Sequence, residues 1–497
     1  MKKIFTLILA LLMILPVVTA CGSGDTETDN PAVDEAEKDK EVQQQTEEVS
    51  EAKLEPDLPA ADFGGQNINF LVKGEEHHWY WCSKEIFAAE ENGERLNDAV
   101  YKRNRYLEDK YNFNITEARV ADPRASAAKS IKADDKAYDV VMTGLIDGGY
   151  FAQSGMLTDL FKMPNIDLSQ PWWDQRGVNE LSIGKKLFFA LGDINVMDND
   201  ATQAVIVNKK LLLDYELENP YELVLSGKWT IDKYYDMIRT VSRDVNLDGK
   251  MAGEDILGHL TDAGKANAIY IGGGGRITTK DADDYPVFCM NNEKAIEVFN
   301  KTLEIMIDEN NTLLANDYSS QYANPWDEFT RPMFINNQGL FYLVGMGTVQ
   351  LLRNMESDFG LLPLPKFDEL QSEYYNAIEA GSTTSMMIPS TNDRLEFTGH
   401  VLEAIAAESK YTLTEAYYDI NFVKKAIRDE ESVEMLEIIL KTRAYDLGNV
   451  YDWGATSSIL YDMIMGRRSD FVSEYEKREN RAQSALDKTI TEYKELG

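Results

Sequence analysis

Cysteine is scarce in this chain. Three occur in 497 residues, at positions 21, 82 and 289. That excludes a disulfide-stapled scaffold. Positive charge is also short: 50 Lys and Arg stand against 85 Asp and Glu, a formal net charge of −35. Nucleic acid requires a cationic face, so it is excluded as a partner. Catalytic signatures are missing: no H-E-x-x-H, no G-x-S-x-G and no G-x-x-x-x-G-K-[ST] occurs. His77 and His78 are adjacent, and neighbours on a strand point apart, which makes them a poor metal pair. Beyond residue 18 no apolar run approaches the roughly 20 residues that a membrane-spanning helix needs.

The one long apolar run lies at the start. Met1-Lys2-Lys3 precedes apolar residues from Ile4 to Val18, the pattern of a secretion signal. It closes in Val18-Thr19-Ala20-Cys21, which resembles the lipobox of bacterial lipoproteins. The resemblance implies a signal peptide over residues 1–20, cleavage before Cys21 and acylation of its thiol. The chain is then expected on the outer face of the cell membrane, touching it only through the lipid. Residues 22–60 hold 13 Asp and Glu against 3 Lys and almost no large apolar side chains. Such a composition cannot offset its ordering entropy, so residues 21–61 read as a disordered acidic linker with a reach on the order of 35 Å. Outside the cell Cys82 and Cys289 could pair or stay as small apolar residues. Unpaired is the favoured reading.

The rest of the chain has room for two domains. Asn67–Val72, Asn112–Thr116 and Tyr138–Met142 read as strands, with a helix at Leu96–Tyr111 between the first two. Strand, helix, strand in this order predicts βαβ units. Further strands are expected at 204–208, 339–345 and 359–365. Thr230 reads as a helix N-cap, a helix follows at 293–308, and the chain beyond 389 is mostly helical.

These segments, in this order, resemble the family 1 extracellular solute-binding proteins. The resemblance rests on Tyr138-Asp139-Val140-Val141 with Ala152-Gln153-Ser154-Gly155-Met156-Leu157, on Val207-Asn208-Lys209-Lys210-Leu211-Leu212, on Lys228-Trp229-Thr230, on Phe334 to Gly347, and on Gly360 to Pro365. It implies a two-lobed α/β fold like that of periplasmic binding proteins, each lobe a mixed β-sheet flanked by helices, joined by a hinge. Lobe 1 is expected over 62–202 with 378–442, and lobe 2 over 203–374 with 445–497. A ligand between the lobes would favour closure, and a membrane permease of an ABC importer would read the closed form.

Asp244-Val245-Asn246-Leu247-Asp248-Gly249-Lys250 carries oxygen ligands at loop positions 1, 3 and 5 and glycine at 6. That is the calcium-loop pattern, with the Lys250 carbonyl at position 7. Asp255 replaces the usual glutamate at position 12. The expected ion is a structural Ca²⁺ held by Asp244, Asn246, Asp248, Lys250 and Asp255. An acidic turn held by Asx hydrogen bonds uses the same residues.

Aromatic faces stack on sugar C–H faces while polar groups bond the hydroxyls. His77-His78-Trp79-Tyr80-Trp81 follows the first strand, and Trp172-Trp173, Trp326 and Tyr451-Asp452-Trp453 are further aromatic candidates. Trp79 and Trp453 are the favoured ligand residues, and Trp229 reads as packing at a helix entry. Asp147 leaves the third strand at a sheet edge. Asp198 and Asp200 lie where the chain first crosses between lobes. Gly272 to Gly275 reads as a flexible segment whose backbone reaches a ligand, so Gly274 and Arg276 complete the candidate set.

The expectation is a monomeric binding protein, not an enzyme, that passes a small carbohydrate to an importer. Two alternatives stand beside it: a lipid-anchored glycan-processing enzyme and a calcium-stabilised surface interaction module.

Overall fold

Uninterrupted runs of Val, Ile, Leu and Phe become strands buried on both faces. In the strand Gln66–Lys73 (β1), Phe70, Leu71 and Val72 have no exposed surface. Parallel strands covered by helices on both sides need this continuity rather than alternation. The computed structural model describes residues 53–75, 81–418 and 430–496. Residues 1–53 form one unit, almost wholly outside the described residues, and 54–497 form the unit described below. The signal peptide, Cys21, the linker up to residue 52 and Trp79 therefore lie outside the described residues. The end of the expected linker is part of the body, where Leu58 and Ala61 pack on the core of the first sheet. Two apolar side chains in a polar stretch were too few for composition to register.

The first sheet joins β1 to β2 (Phe113–Val120), β3 (Val140–Thr143), β4 (Phe189–Ala190) and a late strand from the C-terminal half. The second sheet begins with β5 (Gln203–Asn208) and β6 (Leu257–Thr261). A hairpin of β7 (Thr278–Lys280) and β8 (Pro286–Phe288) follows. The second sheet is completed by β9 (Thr312–Leu314), β10 (Gly339–Gly345) and β11 (Phe359–Leu362). After β12 (Asn376–Ala377) the chain returns to the first sheet as β13 (Ser385–Met387), and β14 (Arg443–Ala444) pairs with β12. The strand orders are β2-β1-β3-β13-β4 and β11-β5-β10-β6-β9. Both sheets are mixed: β1 is parallel to β2 and β3, and β13 is antiparallel to β3 and β4. In the second, β10 is parallel to β6 but antiparallel to β5.

In the second sheet, Val205, Val207, Phe341 and Leu343 belong to one core, with Trp229 and Tyr234. Their strand neighbours Ala204, Ile206, Tyr342 and Val344 belong to another, with Phe334 and Ile439. The two-residue strand period places them on opposite faces. Thr230 caps the helix Ile231–Val241 by accepting from the Lys233 amide, and Trp229 donates from its indole N–H to the Pro363 carbonyl at 2.8 Å.

Passages between the sheets run side by side. Thr202 bridges to Ile378, and Asn376 and Ala377 pair with Arg443 and Ala444. The C-terminal region divides its residues more finely than the expected lobes do. Helix Glu430–Lys441 packs on β11 of the second sheet, and Tyr445 to Trp453 join the core of the first. Helix Phe471–Glu495 serves both, with Phe471 and Tyr475 in one core and Leu486 and Tyr493 in the other. Helical periodicity shows that a face is apolar, not which sheet will cover it.

Candidate functional site

β6 and β10 are parallel, so their carboxyl ends lie at the same edge of the second sheet. That edge is where ligands settle in open α/β sheets. A cavity of about 460 Å³ sits there, between groups carried by both sheets. Asp262 and Lys265 follow β6 directly, Tyr342 and Val344 come from β10, and Gly345 and Thr348 follow. Glu379 and Ser382 enter from the passage between β12 and β13, and Trp81 from the segment after β1. Trp326, Asp327 and Arg331 close the remaining side.

Trp326 opens a single π-helical turn, Trp326–Thr330, a local widening of the helix that recurs at functional sites. Its side chain is 39% exposed, large for a tryptophan with no surface role. Asp327 pairs with Arg331 one turn on. Asp262 accepts from the Gly264 amide at 2.8 Å. Burial pushes the Tyr342 phenol up to about 12, so it acts as a neutral hydroxyl. The Cβ that Gly345 lacks would meet the Asp200 carbonyl at 2.7 Å and the Trp81 ring at 3.8 Å. Glycine lets the end of β10 come this close to the Asp200 carbonyl.

Lys265 and Glu379 form an ion pair. Burial works against the Lys265 ammonium, but Glu379 and Asp262 outweigh it and its pKa sits above the usual range. The Lys265 charge holds the Glu379 carboxyl below its own. Both groups stay ionised. They also line a second cavity of about 260 Å³, so the pair is a partition between two compartments.

The two indole rings of the large cavity, with carboxylates, cations and hydroxyls between them, offer stacking surfaces and directional polar contacts together. That combination suits a polyhydroxylated ligand with apolar ring faces.

The favoured sequence candidates lie elsewhere. Trp79 is outside the described residues, and Trp81, two positions on, lines the cavity. Trp453 is 3% exposed, stacks on Tyr451 with centroids 4.9 Å apart and donates to Thr489 at 2.8 Å. The Asp147 carboxylate accepts from Thr143 at 2.6 Å and faces Arg124, while its neighbour Ile146 lines the second cavity. Asp198 is buried against Arg443 at 3.1 Å, and burial raises its pKa to about 7. Asp200 is buried and accepts from Tyr417 at 2.7 Å. Gly274 has φ 80° just after the helix Ala266–Gly272, where a helix end needs glycine. The expected flexibility of this run has a different use: a Cβ on Gly275 would meet the Tyr270 ring at 2.4 Å. Arg276 donates to the Ile271 and Gly275 carbonyls and lies over the Tyr375 ring. None of these six described residues lines either cavity. Trp172 and Trp173 are buried, and both indoles donate to Glu403, at 3.1 and 3.0 Å.

Asp262, Lys265, Arg331, Tyr342 and Glu379 were not singled out from sequence. The usable signal was strand β6, whose carboxyl end presents Asp262 and Lys265, but Leu257-Gly258-His259-Leu260-Thr261 is short and broken by glycine and histidine.

In the acidic loop the Asp244 carboxylate accepts from the Leu247 and Gly249 amides, Asn246 from Asp248, and Asp248 from Lys250. Gly249 takes φ 80°. Each of these hydrogen bonds is a side chain accepting from a loop amide, the pattern of an acidic turn held by Asx hydrogen bonds. The two Asp255 oxygens accept from the Val245 and Ala252 amides and the residue is fully buried, so Asp255, like Asp244, spends both oxygens on backbone amides of the loop. Among the described residues no group of three or more His, Cys, Asp or Glu is placed to hold a metal. Cys82 and Cys289 are both free thiols, and no helix among the described residues is long and apolar enough to cross a membrane.

By sequence the chain matches no family model and no curated protein. Its structure resembles many solved ones. UgpB of Mycobacterium tuberculosis, solved with glycerophosphocholine, has a TM-score of 0.56 at 16% identity, covering 85% of this chain and 99% of its own. A cyclo/maltodextrin-binding protein solved with maltotetraose gives 0.54 at 13%, covering 90% and 98%. The ABC substrate-binding protein Lmo0181 of Listeria monocytogenes, solved with cycloalternan, gives 0.52 at 12%, covering 86% and 98%. At such identities the likeness establishes architecture alone: this chain has the two-sheet α/β fold seen in these substrate-binding proteins.

Proposed function

We propose that this chain captures a carbohydrate in the 460 Å³ cavity and delivers it to the membrane permease of an ABC importer. The observation that carries the reading is the lining: Trp81 and Trp326 face the same space as Asp262, Asp327, Arg331 and Glu379. The structural neighbours that bind maltotetraose and cycloalternan support a sugar, and the one that binds glycerophosphocholine keeps a polyol ester in view. The chemistry of the carboxylates favours binding over turnover. A glycosidase needs one carboxylic acid held neutral near pH 7. Glu379 is instead held ionised by Lys265, and Asp327 is paired to Arg331.

Export and tethering through Cys21 belong to the same proposal and rest on the N-terminal sequence. So does a structural Ca²⁺ ion held by Asp244, Asn246, Asp248, the Lys250 carbonyl and Asp255, which rests on their spacing in the sequence. The deciding experiment is thermal unfolding of the purified protein against a glycan panel that includes glycerophosphodiesters. A sugar that raises the unfolding temperature and quenches tryptophan fluorescence supports the reading. No shift with any sugar overturns it.

A further inference from the structure

Three carboxylates line the 460 Å³ cavity, those of Asp262, Asp327 and Glu379, against two cations, Lys265 and Arg331. Both cations are committed: Arg331 pairs with Asp327, and Lys265 with Glu379. Asp262 is the carboxylate left over. Lys265 lies three positions on and the two charges feel each other, but the Lys265 ammonium is in contact with Glu379. Among the described residues Asp262 makes no ion pair. One of its oxygens accepts from the Gly264 amide, which anchors the side chain just beyond β6. The other accepts nothing among the described residues and is not one of the buried orphan atoms, so it opens on the cavity. Asp262 is 9% exposed. Little water reaches it, and a ligand filling the cavity displaces what does. Taking a carboxylate out of water is costly unless a cation replaces the water. Indole faces attract cations as well as sugar rings, so Trp81 and Trp326 favour such a guest too.

We propose that the sugar taken by this cavity carries an amine, whose ammonium pairs with the free oxygen of Asp262. The inference rests on the carbohydrate reading above and names the class of sugar. The ammonium balances the charge of the filled cavity. A neutral sugar leaves one negative charge there without a cation. A uronic acid or a sugar phosphate adds another, and both cations of the lining are already paired.

The test is calorimetric titration at about pH 6, where a sugar amine holds its proton. The matched sets are glucose, glucosamine and glucuronate; galactose, galactosamine and galacturonate; and cellobiose with its diamino counterpart, chitobiose. At least one amine should bind about tenfold more tightly than its neutral partner, and the acids should bind most weakly. At about pH 9.5, where the amine is neutral, the advantage should vanish. Asp262→Asn, which keeps an acceptor for the Gly264 amide, should bring the amine and its neutral partner to equal affinity. The pH comparison uses the native protein and stands whether or not the variant folds. Equal or weaker binding of the amine in every set overturns the proposal, as does an advantage that persists at the higher pH or in folded Asp262→Asn. If no sugar of any kind binds, the carbohydrate reading itself falls and this inference with it.

Discussion

Lys265 and Glu379 are 114 positions apart in the chain, yet their ion pair is the point where the two cavities meet. Lys265 stands just beyond β6 of the second sheet, and Glu379 lies in the passage leading back to the first. A ligand in either cavity must meet this pair. Any change in the angle between the sheets would act on it.

Lys265→Met leaves the Glu379 carboxylate unpaired. Because Glu379 is 41% exposed, solvent limits the stability cost to about 1 kcal/mol. Ligand affinity should fall at least tenfold, and the double variant Lys265→Met, Glu379→Gln should regain the stability but not the affinity. Urea unfolding and calorimetry measure the two separately. Unchanged binding in the single variant would remove the pair from the site.

Trp326 and Trp453 should separate binding from folding. Trp326→Ala should weaken sugar binding by about 1–2 kcal/mol with little change in unfolding temperature, since the ring is partly exposed and faces the cavity. Trp453→Ala should cost about 3–5 kcal/mol of stability through a cavity in the core. The reverse pattern would return Trp453 to the list of ligand residues.

Glu403 should give the fold a pH dependence. Burial raises its pKa from 4.5 to about 7, against the opposing effect of the Trp173 and Trp172 indoles. The folded state then holds a proton that the unfolded chain releases, so stability falls as pH rises from about 4.5 to about 7. The contribution is about 3 kcal/mol across that window. Glu403→Gln should flatten this slope by that amount. Urea unfolding of both proteins at pH 5 and pH 8 gives the comparison, and equal slopes would refute the assignment.

Calcium should raise the unfolding temperature of the native protein relative to EDTA by linkage to the folded state. Asp244→Asn, Asp248→Asn should abolish the increment. If calcium has no effect on the native protein, residues 244–255 form an acidic turn held by their own backbone amides.

Cys21→Ala should release the protein into the medium and impair uptake, while affinity for the ligand stays that of the native chain. Retention of this variant on cells would exclude the lipid tether.

The plan of the body was legible in the chain. Apolar runs located β1, β3, β5, β10 and β11 to within a few residues, and Thr230 marked a helix start through its hydroxyl. The site was much less so. Trp79 and Trp453 were favoured for their neighbours in sequence, and Trp453 instead meets Thr489 in the C-terminal helix. The glycines at 272–275 read as freedom of movement, whereas Tyr270, Val298 and Leu364 pack against them.

By itself, the sequence determined the α/β class, the strand positions and the acidic, cysteine-poor character of the surface, because these follow from local composition and period. Only the tertiary structure decided which tryptophans face a cavity and which carboxylates are paired. Glu403 meets Trp172 across 231 positions, Glu379 meets Lys265 across 114, and Gln203 is left with an unpaired oxygen beside them. Such side chains differ only in their surroundings, and those surroundings exist only after the two sheets have folded against their helices.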